Sequence, residues 1–245
     1  MLTTLFILTL TSENSQLSEK MVLAQASNRI QKVKPSPTLA VTALAQQLRA
    51  QGKDVIGLAA GEPDFTTPDH VKQAAIDAIN ANQTKYTAVD GMPSLKRAII
   101  TKFSEDNDLT YNADQVLVSV GGKQSFFNMA QALLNPGDEV IIPAPYWVSY
   151  PDMVLLADAE PVIVKGDQAQ GFKITPEQLE TALNDKTRLF VINSPSNPSG
   201  KSYSMDELKA LGQILLQYPK VIVATDDMYE KILWTDEPFC NILNA

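Results

Sequence analysis

From residue 115 onward the chain alternates short apolar runs with amphipathic stretches. Apolar, β-branched runs at 116–120, 139–142, 161–164, 189–193 and 221–225 predict five strands. Between them, residues 123–134, 148–157, 176–183 and 205–216 read as helices. In the last of these, Met205, Leu208, Leu211, Ile214 and Leu215 recur at helical spacing. Strand, crossover helix and strand make a βαβ unit, whose strands are parallel. The pattern therefore predicts an α/β fold: a mostly parallel sheet with helices on both faces.

The earlier part of the chain is less regular. Residues 21–31 can form a short helix, and Lys34-Pro35-Ser36-Pro37-Thr38 is a rigid break. Residues 39–51 carry an apolar stripe (Leu39, Val41, Leu44, Ala45, Leu48) that Gly52 ends. A brief extended run at 55–58 leads to the glycine-bearing turn Gly61-Glu62-Pro63-Asp64-Phe65. Helices follow at 68–81, opened by Thr67-Pro68, and at 93–103.

Composition narrows the function. At 245 residues with 44 % hydrophobic and 20 % charged content, the chain can bury a substantial core. A net charge of −8 and no basic run argue against nucleic acid as a partner. One cysteine, Cys240, and one histidine, His70, argue against a disulfide framework, a Cys-rich metal site or a histidine triad. His70 reads as a solvated residue at a helix start. The opening MLTTLFILTL is too short to span a bilayer and lacks the basic start of an export signal. Residues 1–20 are expected to be an over-extended gene start or a tail, with a weak export signal as the alternative. A cytoplasmic location without membrane contact is expected.

Polar residues crowd the strand ends, where open parallel sheets bind ligands. The run at 189–193 gives the polar end Asn193-Ser194-Pro195-Ser196-Asn197-Pro198-Ser199-Gly200, and the run at 221–225 gives Asp226-Asp227-Met228-Tyr229, so an amide, a carboxylate and a phenol are expected to converge on one crevice. Such residues are also ordinary turn and helix-capping chemistry. Gly121-Gly122-Lys123 sits between a strand and a helix, where N–H groups and the helix dipole suit a phosphate; a packing glycine pair looks the same. It matches neither the dinucleotide fingerprint nor the P-loop, which leaves a nucleotide-binding doubly wound sheet as a minor alternative. Pro145-Tyr146-Trp147 follows another strand and offers a ring for stacking, or simply a core aromatic.

Together these residues resemble the class I pyridoxal-phosphate-dependent aminotransferases of fold type I. Gly61-Glu62-Pro63-Asp64-Phe65, Lys85-Tyr86, Gly121-Gly122-Lys123-Gln124, Pro145-Tyr146-Trp147, Asn197-Pro198-Ser199-Gly200 and Asp226-x-x-Tyr229 stand in that family's order and spacing. The subgroup resembled is the bacterial-type aspartate aminotransferases, which also includes prephenate aminotransferases. The resemblance implies an aminotransferase that moves an amino group between a dicarboxylic amino acid, aspartate or glutamate, and a 2-oxo acid through pyridoxal 5'-phosphate. It implies that Asp226 pairs with the pyridine nitrogen and that Asn197 and Tyr229 bond the ring's 3-oxygen. Trp147 would stack on the ring, and Gly122 and Lys123 would hold the phosphate. Tyr86 would reach across from a partner subunit of a homodimer. Gly61, Trp147, Asn197, Lys123 and Thr38 would contact substrate, with Lys123 and Thr38 favouring a dicarboxylate or prephenate.

The chain departs from the family at one point. It stops at Ala245, before the segment in which the family carries its Schiff-base lysine, and neither Lys201 nor Lys231 matches that segment. No catalytic residue is assigned, and the chain reads as an N-terminal fragment incompetent by itself. The expected division is 1–20 extension, 21–60 arm and first helix of a small domain, and 61–245 an incomplete cofactor-binding large domain. The alternative is a truncated, non-enzymatic cofactor-binding fragment.

Overall fold

The computed structural model describes residues 26–35, 37–58, 61 and 65–245. Expectations for residues 1–25, for 59–60 and for 62–64 lie outside the described residues. Helices α1 (Asn28–Gln31), α2 (Pro37–Ala50), α3 (Asp69–Asn80), α4 (Pro93–Asn107) and α5 (Gly122–Leu133) precede the sheet. Strands β1 (Glu139–Ala144), β2 (Glu160–Lys165), β3 (Thr187–Asn193) and β4 (Ile222–Asp226) then alternate with α6 (Ser149–Leu156), α7 (Pro176–Ala182) and α8 (Met205–Leu215).

The sheet order is β2-β1-β3-β4 and every neighbouring pair is parallel. The predicted α/β architecture is therefore present. Alternate residues feed two cores because side chains along a strand point to opposite faces. Val140, Ile142, Leu189 and Val191 pack with Phe126 of α5 and Tyr150, Met153 and Val154 of α6. Ile141, Phe190 and Ile192 pack with Leu179 of α7 and Leu208, Leu211 and Leu215 of α8 on the other face. Burial on both faces explains why β3 is apolar without alternation. Capping boxes start α7 (Thr175 with Gln178) and α8 (Ser204 with Glu207), so the crossovers begin at defined residues.

One expected strand is absent. Residues 116–120 pair with no strand among the described residues, although their apolar pattern is that of a strand. Val116 is extended (φ −112°, ψ 121°), but the next strand in space, β4, is paired only with β3. A cleft of about 640 Å³ is lined by Val116 and Leu117 and by Val223, Ala224 and Thr225. An apolar pattern reports which side chains can be buried. A ladder also needs an extended partner strand roughly 4.8 Å away, and among the described residues none runs beside this segment.

The predicted first short helix is reduced to α1 among the described residues. No helix among them is long and apolar enough to cross a membrane. Leu208 is 1 % exposed within the α7–α8 core. Leu208→Ala is expected to cost about 2–5 kcal/mol, whereas Leu216→Ala, at an exposed position, changes stability by less than about 0.5 kcal/mol. Urea unfolding midpoints of the two variants check this.

Candidate functional site

The chain runs from β1 out to β2 and returns to β3 on the other side of β1. That reversal opens a crevice beyond the strands' carboxyl ends. β1 delivers Pro145-Tyr146-Trp147 there, β3 delivers Asn193 and the 194–200 loop, and β4 delivers Asp226. Asn193 and Asp226 are register partners. The Asn193 side chain donates to the Asp226 carbonyl at 2.7 Å and accepts the Asn197 N–H at 2.7 Å, so one amide ties both loops. Asn197 Nδ2 then lies 3.4 Å from the Tyr229 hydroxyl.

The other side of the cluster comes from α5 and α6. Tyr150, buried in α6, donates its hydroxyl to Asp226 Oδ2 at 2.5 Å. Burial pushes its phenol well above the ordinary range and the Asp226 carboxylate adds to this, so Tyr150 remains a proton donor. Trp147 packs edge-on to Tyr150, with centroids 5.2 Å apart and rings at 86°. Lys123 Nζ sits 5.2 Å from the centre of the Trp147 ring. A continuous path of contacts thus links Lys123, Trp147, Tyr150, Asp226, Asn193, Asn197 and Tyr229.

Gly121 enters α5 at φ +82°, and a β-carbon on Gly121 or Gly122 would meet no atom within 4 Å. The turn entering the helix therefore has open space around it, and Gly122 and Asp226 line the same cleft. A carboxylate, a phenol with an amide, an aromatic ring and an N–H cup form a donor set that fits pyridoxal phosphate. The carboxylate suits a ring nitrogen, the phenol and amide a ring oxygen, and the cup a phosphate.

The acidic turn is sorted by its contacts. Asp227 also lines this cleft, but its carboxylate accepts from Thr225 Oγ1 at 2.6 Å and from Asn241 Nδ2 rather than from the cluster's side chains. Burial raises its carboxyl above the usual range, against the pull of those two bonds. Glu230 pairs with Lys102 of α4 and accepts from Asn107 Nδ2 at 2.9 Å. Burial opposes its ionisation, but Lys102 and Asn107 prevail and hold it below the usual range. Asp226 and Tyr229 are left to face Tyr150 and Asn197.

Three predicted site residues stand apart. Tyr86 and Gly61 are exposed, and Thr38, on α2, is bonded through its carbonyl to Thr42 Oγ1 at 2.8 Å and does not line the cleft. One residue of the cluster, Tyr150, escapes sequence reasoning; its only signal is its place close after Trp147. Asn193 is read as the first polar residue at its strand end, but the bonds it makes are not. Lys201 is exposed, and Lys231 pairs with Asp106 at 2.9 Å, which pushes its ammonium up. Lys231 therefore offers no neutral amine to this cluster.

Because the Glu230 carboxyl is held low in the folded state, its contribution is full above the unfolded value and lost as pH falls through the folded one. Glu230→Gln should lower stability by about 1–2 kcal/mol at neutral pH. The gap to wild type should close below about pH 4. Thermal unfolding across that pH range measures it.

Comparisons with known proteins place the chain in a family. The family model "Aminotransferase class I and II" matches residues 53–244. An aspartate/prephenate aminotransferase from Nitrosomonas europaea is 60 % identical over 219 residues, 89 % of this chain and 55 % of that protein. One from Cereibacter sphaeroides is 57 % identical, over 89 % of this chain and 54 % of its own length. The aspartate aminotransferase of Rhizobium meliloti superposes with a TM-score of 0.86 at 47 % identity, covering 89 % of this chain and 55 % of that one. That of Thermus thermophilus with maleate gives 0.85 at 43 % identity, covering 89 % and 56 %. The chain spans about half the length of the relatives it matches. With sequence, fold and cluster in accord, the chain belongs to the class I and II aminotransferases.

Proposed function

We propose that these residues form the cofactor cradle of an aspartate-type aminotransferase that moves an amino group between a dicarboxylic amino acid and a 2-oxo acid with pyridoxal 5'-phosphate. The observation that carries this is the contact path from Lys123 through Trp147 and Tyr150 to Asp226, and on through Asn193 to Asn197 and Tyr229. When bound, the cofactor supplies a conjugated pyridinium that draws electrons from the substrate's α-carbon. Asp226 supplies the carboxylate that keeps the ring nitrogen protonated, and Tyr150 keeps that carboxylate oriented. Asn197 and Tyr229 hydrogen-bond the ring's 3-oxygen, Trp147 covers the ring face, and Gly122 and Lys123 grip the phosphate.

Substrate choice rests on Lys123, Thr38 and Gly61, as the resemblance implies, and on the names of the relatives. Those names pair aspartate with prephenate, and one solved relative carries maleate, a dicarboxylate. Prephenate amination is therefore the second reading. Residues 61–245 act as the cofactor-binding domain and 21–60 as the arm of a smaller one. The whole protein works as a cytoplasmic homodimer, with Tyr86 of each copy serving its partner's phosphate. Neither Lys201 nor Lys231 matches the segment in which the resembled family carries its cofactor-linking lysine.

Titration of the purified chain with pyridoxal phosphate, read by quenching of tryptophan fluorescence, should show saturable binding. Asp226→Asn should weaken it about 10- to 100-fold, the worth of one charge-assisted hydrogen bond. Binding that is absent, or indifferent to Asp226, overturns the cradle. The polypeptide of residues 1–245 by itself should give no aspartate-to-2-oxoglutarate turnover. A clear rate from it would show that another of its groups does the lysine's work.

A further inference from the structure

Lys96 is the buried charge that the site does not use. It lies in α4 at 5 % exposure, and its ammonium pairs with the Asp90 carboxylate. That pair holds the Asp90 carboxyl below its usual range. Asp90 ends the loop that carries Tyr86, and its carbonyl accepts the Val118 N–H at 3.0 Å. Next to it, Gly91 sits at φ +112°, and a β-carbon there would overlap the Val118 side chain. Loop 84–91 is thus pressed against residues 116–120, which lead directly into Gly121 and Gly122.

The segment has little else to hold it. Among the described residues it lies in no strand ladder. Its other backbone bonds are local: Val116 N–H to Ala113, Gly121 N–H to Ser119, and Val120 N–H to the Gln124 side chain. Among the described residues, the backbone bond from Val118 to Asp90 is the one that reaches across to another part of the chain. A buried ammonium without its counter-ion is costly, so Lys96 fixes where Asp90, and with it Val118, must lie.

We propose that Lys96 is a positioning residue for phosphate binding: with Asp90 it clamps the segment entering the glycine cup and sets the direction of the first N–H groups of α5. The proposal rests on the cradle reading for its ligand, and on the contacts above for the clamp.

Two measurements separate these. Affinity is measured for pyridoxal phosphate and for pyridoxal, which lacks the phosphate, in wild type, Lys96→Met, Lys96→Arg and Asp90→Asn. The two clamp-breaking variants should lose about tenfold or more for the phosphate ester and less than about twofold for pyridoxal, with Lys96→Arg close to wild type. The double variant Lys96→Met/Asp90→Asn should be no worse than either single one, as expected for one shared interaction. Amide hydrogen exchange of the 116–122 peptide should rise in both clamp-breaking variants without any ligand. Equal losses for both ligands, or unchanged affinity, overturn the phosphate role. Unchanged exchange overturns the clamp. Failure of wild type to bind pyridoxal phosphate sinks the cradle reading alone, because the exchange result still decides the clamp. Asp90→Asn, altered at a half-exposed carboxylate, serves if Lys96→Met does not fold.

Discussion

Asn193 bridges the two strands on which the cluster depends. A side-chain amide carries both a donor and an acceptor in one rigid plane. Here the donor meets the Asp226 carbonyl and the acceptor meets the Asn197 N–H, both at 2.7 Å. An aspartate would lose the donor, and an apolar residue would lose both. The parallel pairing of β3 with β4 puts Asn193 beside Asp226, so register comes first and the amide secures what register sets up. Asn197 and Tyr229, from different loops, meet beside this bridge.

Charge is distributed along the cleft with similar economy. Asp226 and Asp227 are neighbours, yet their carboxylates have different partners. Tyr150 holds the first, and Thr225 with Asn241 hold the second. Tying Asp227 and Glu230 to the scaffold keeps one carboxylate, not three, in the cluster. At the far end, Lys123 and the open start of α5 favour an anion. A ligand with a cationic ring and an anionic tail would find each end matched, and Trp147 lies between them, in contact with both Lys123 and Tyr150.

β4 shows what pairing contributes beyond composition. Its sequence is nearly as apolar as that of β3, but β3 is largely buried while every residue of β4 is only half-buried. The difference is neighbours: among the described residues β3 lies between two strands, and β4 has one. The cleft along its free edge and the unpaired run at 116–120 are two sides of the same condition.

The order of strands and helices was legible in the chain because burial imposes a period, two for strands and 3.6 for helices, that survives in sequence. The site motifs were legible because Asp226, Tyr229, Asn197, Trp147 and Gly122 each follow a strand or open a helix. Their convergence on one crevice followed from the βαβ order, but the contacts they make there were not legible. Sequence spacing does not state that Tyr150 reaches Asp226 across 76 positions, or that Asn193 clasps the loop 33 positions away. Nor does it state whether an apolar run finds a partner strand, as 116–120 shows, or that Thr38, Tyr86 and Gly61 stand outside the cluster. Local pattern encodes which face of an element is buried; which elements become neighbours depends on long-range packing and register, and those exist only once the chain has folded.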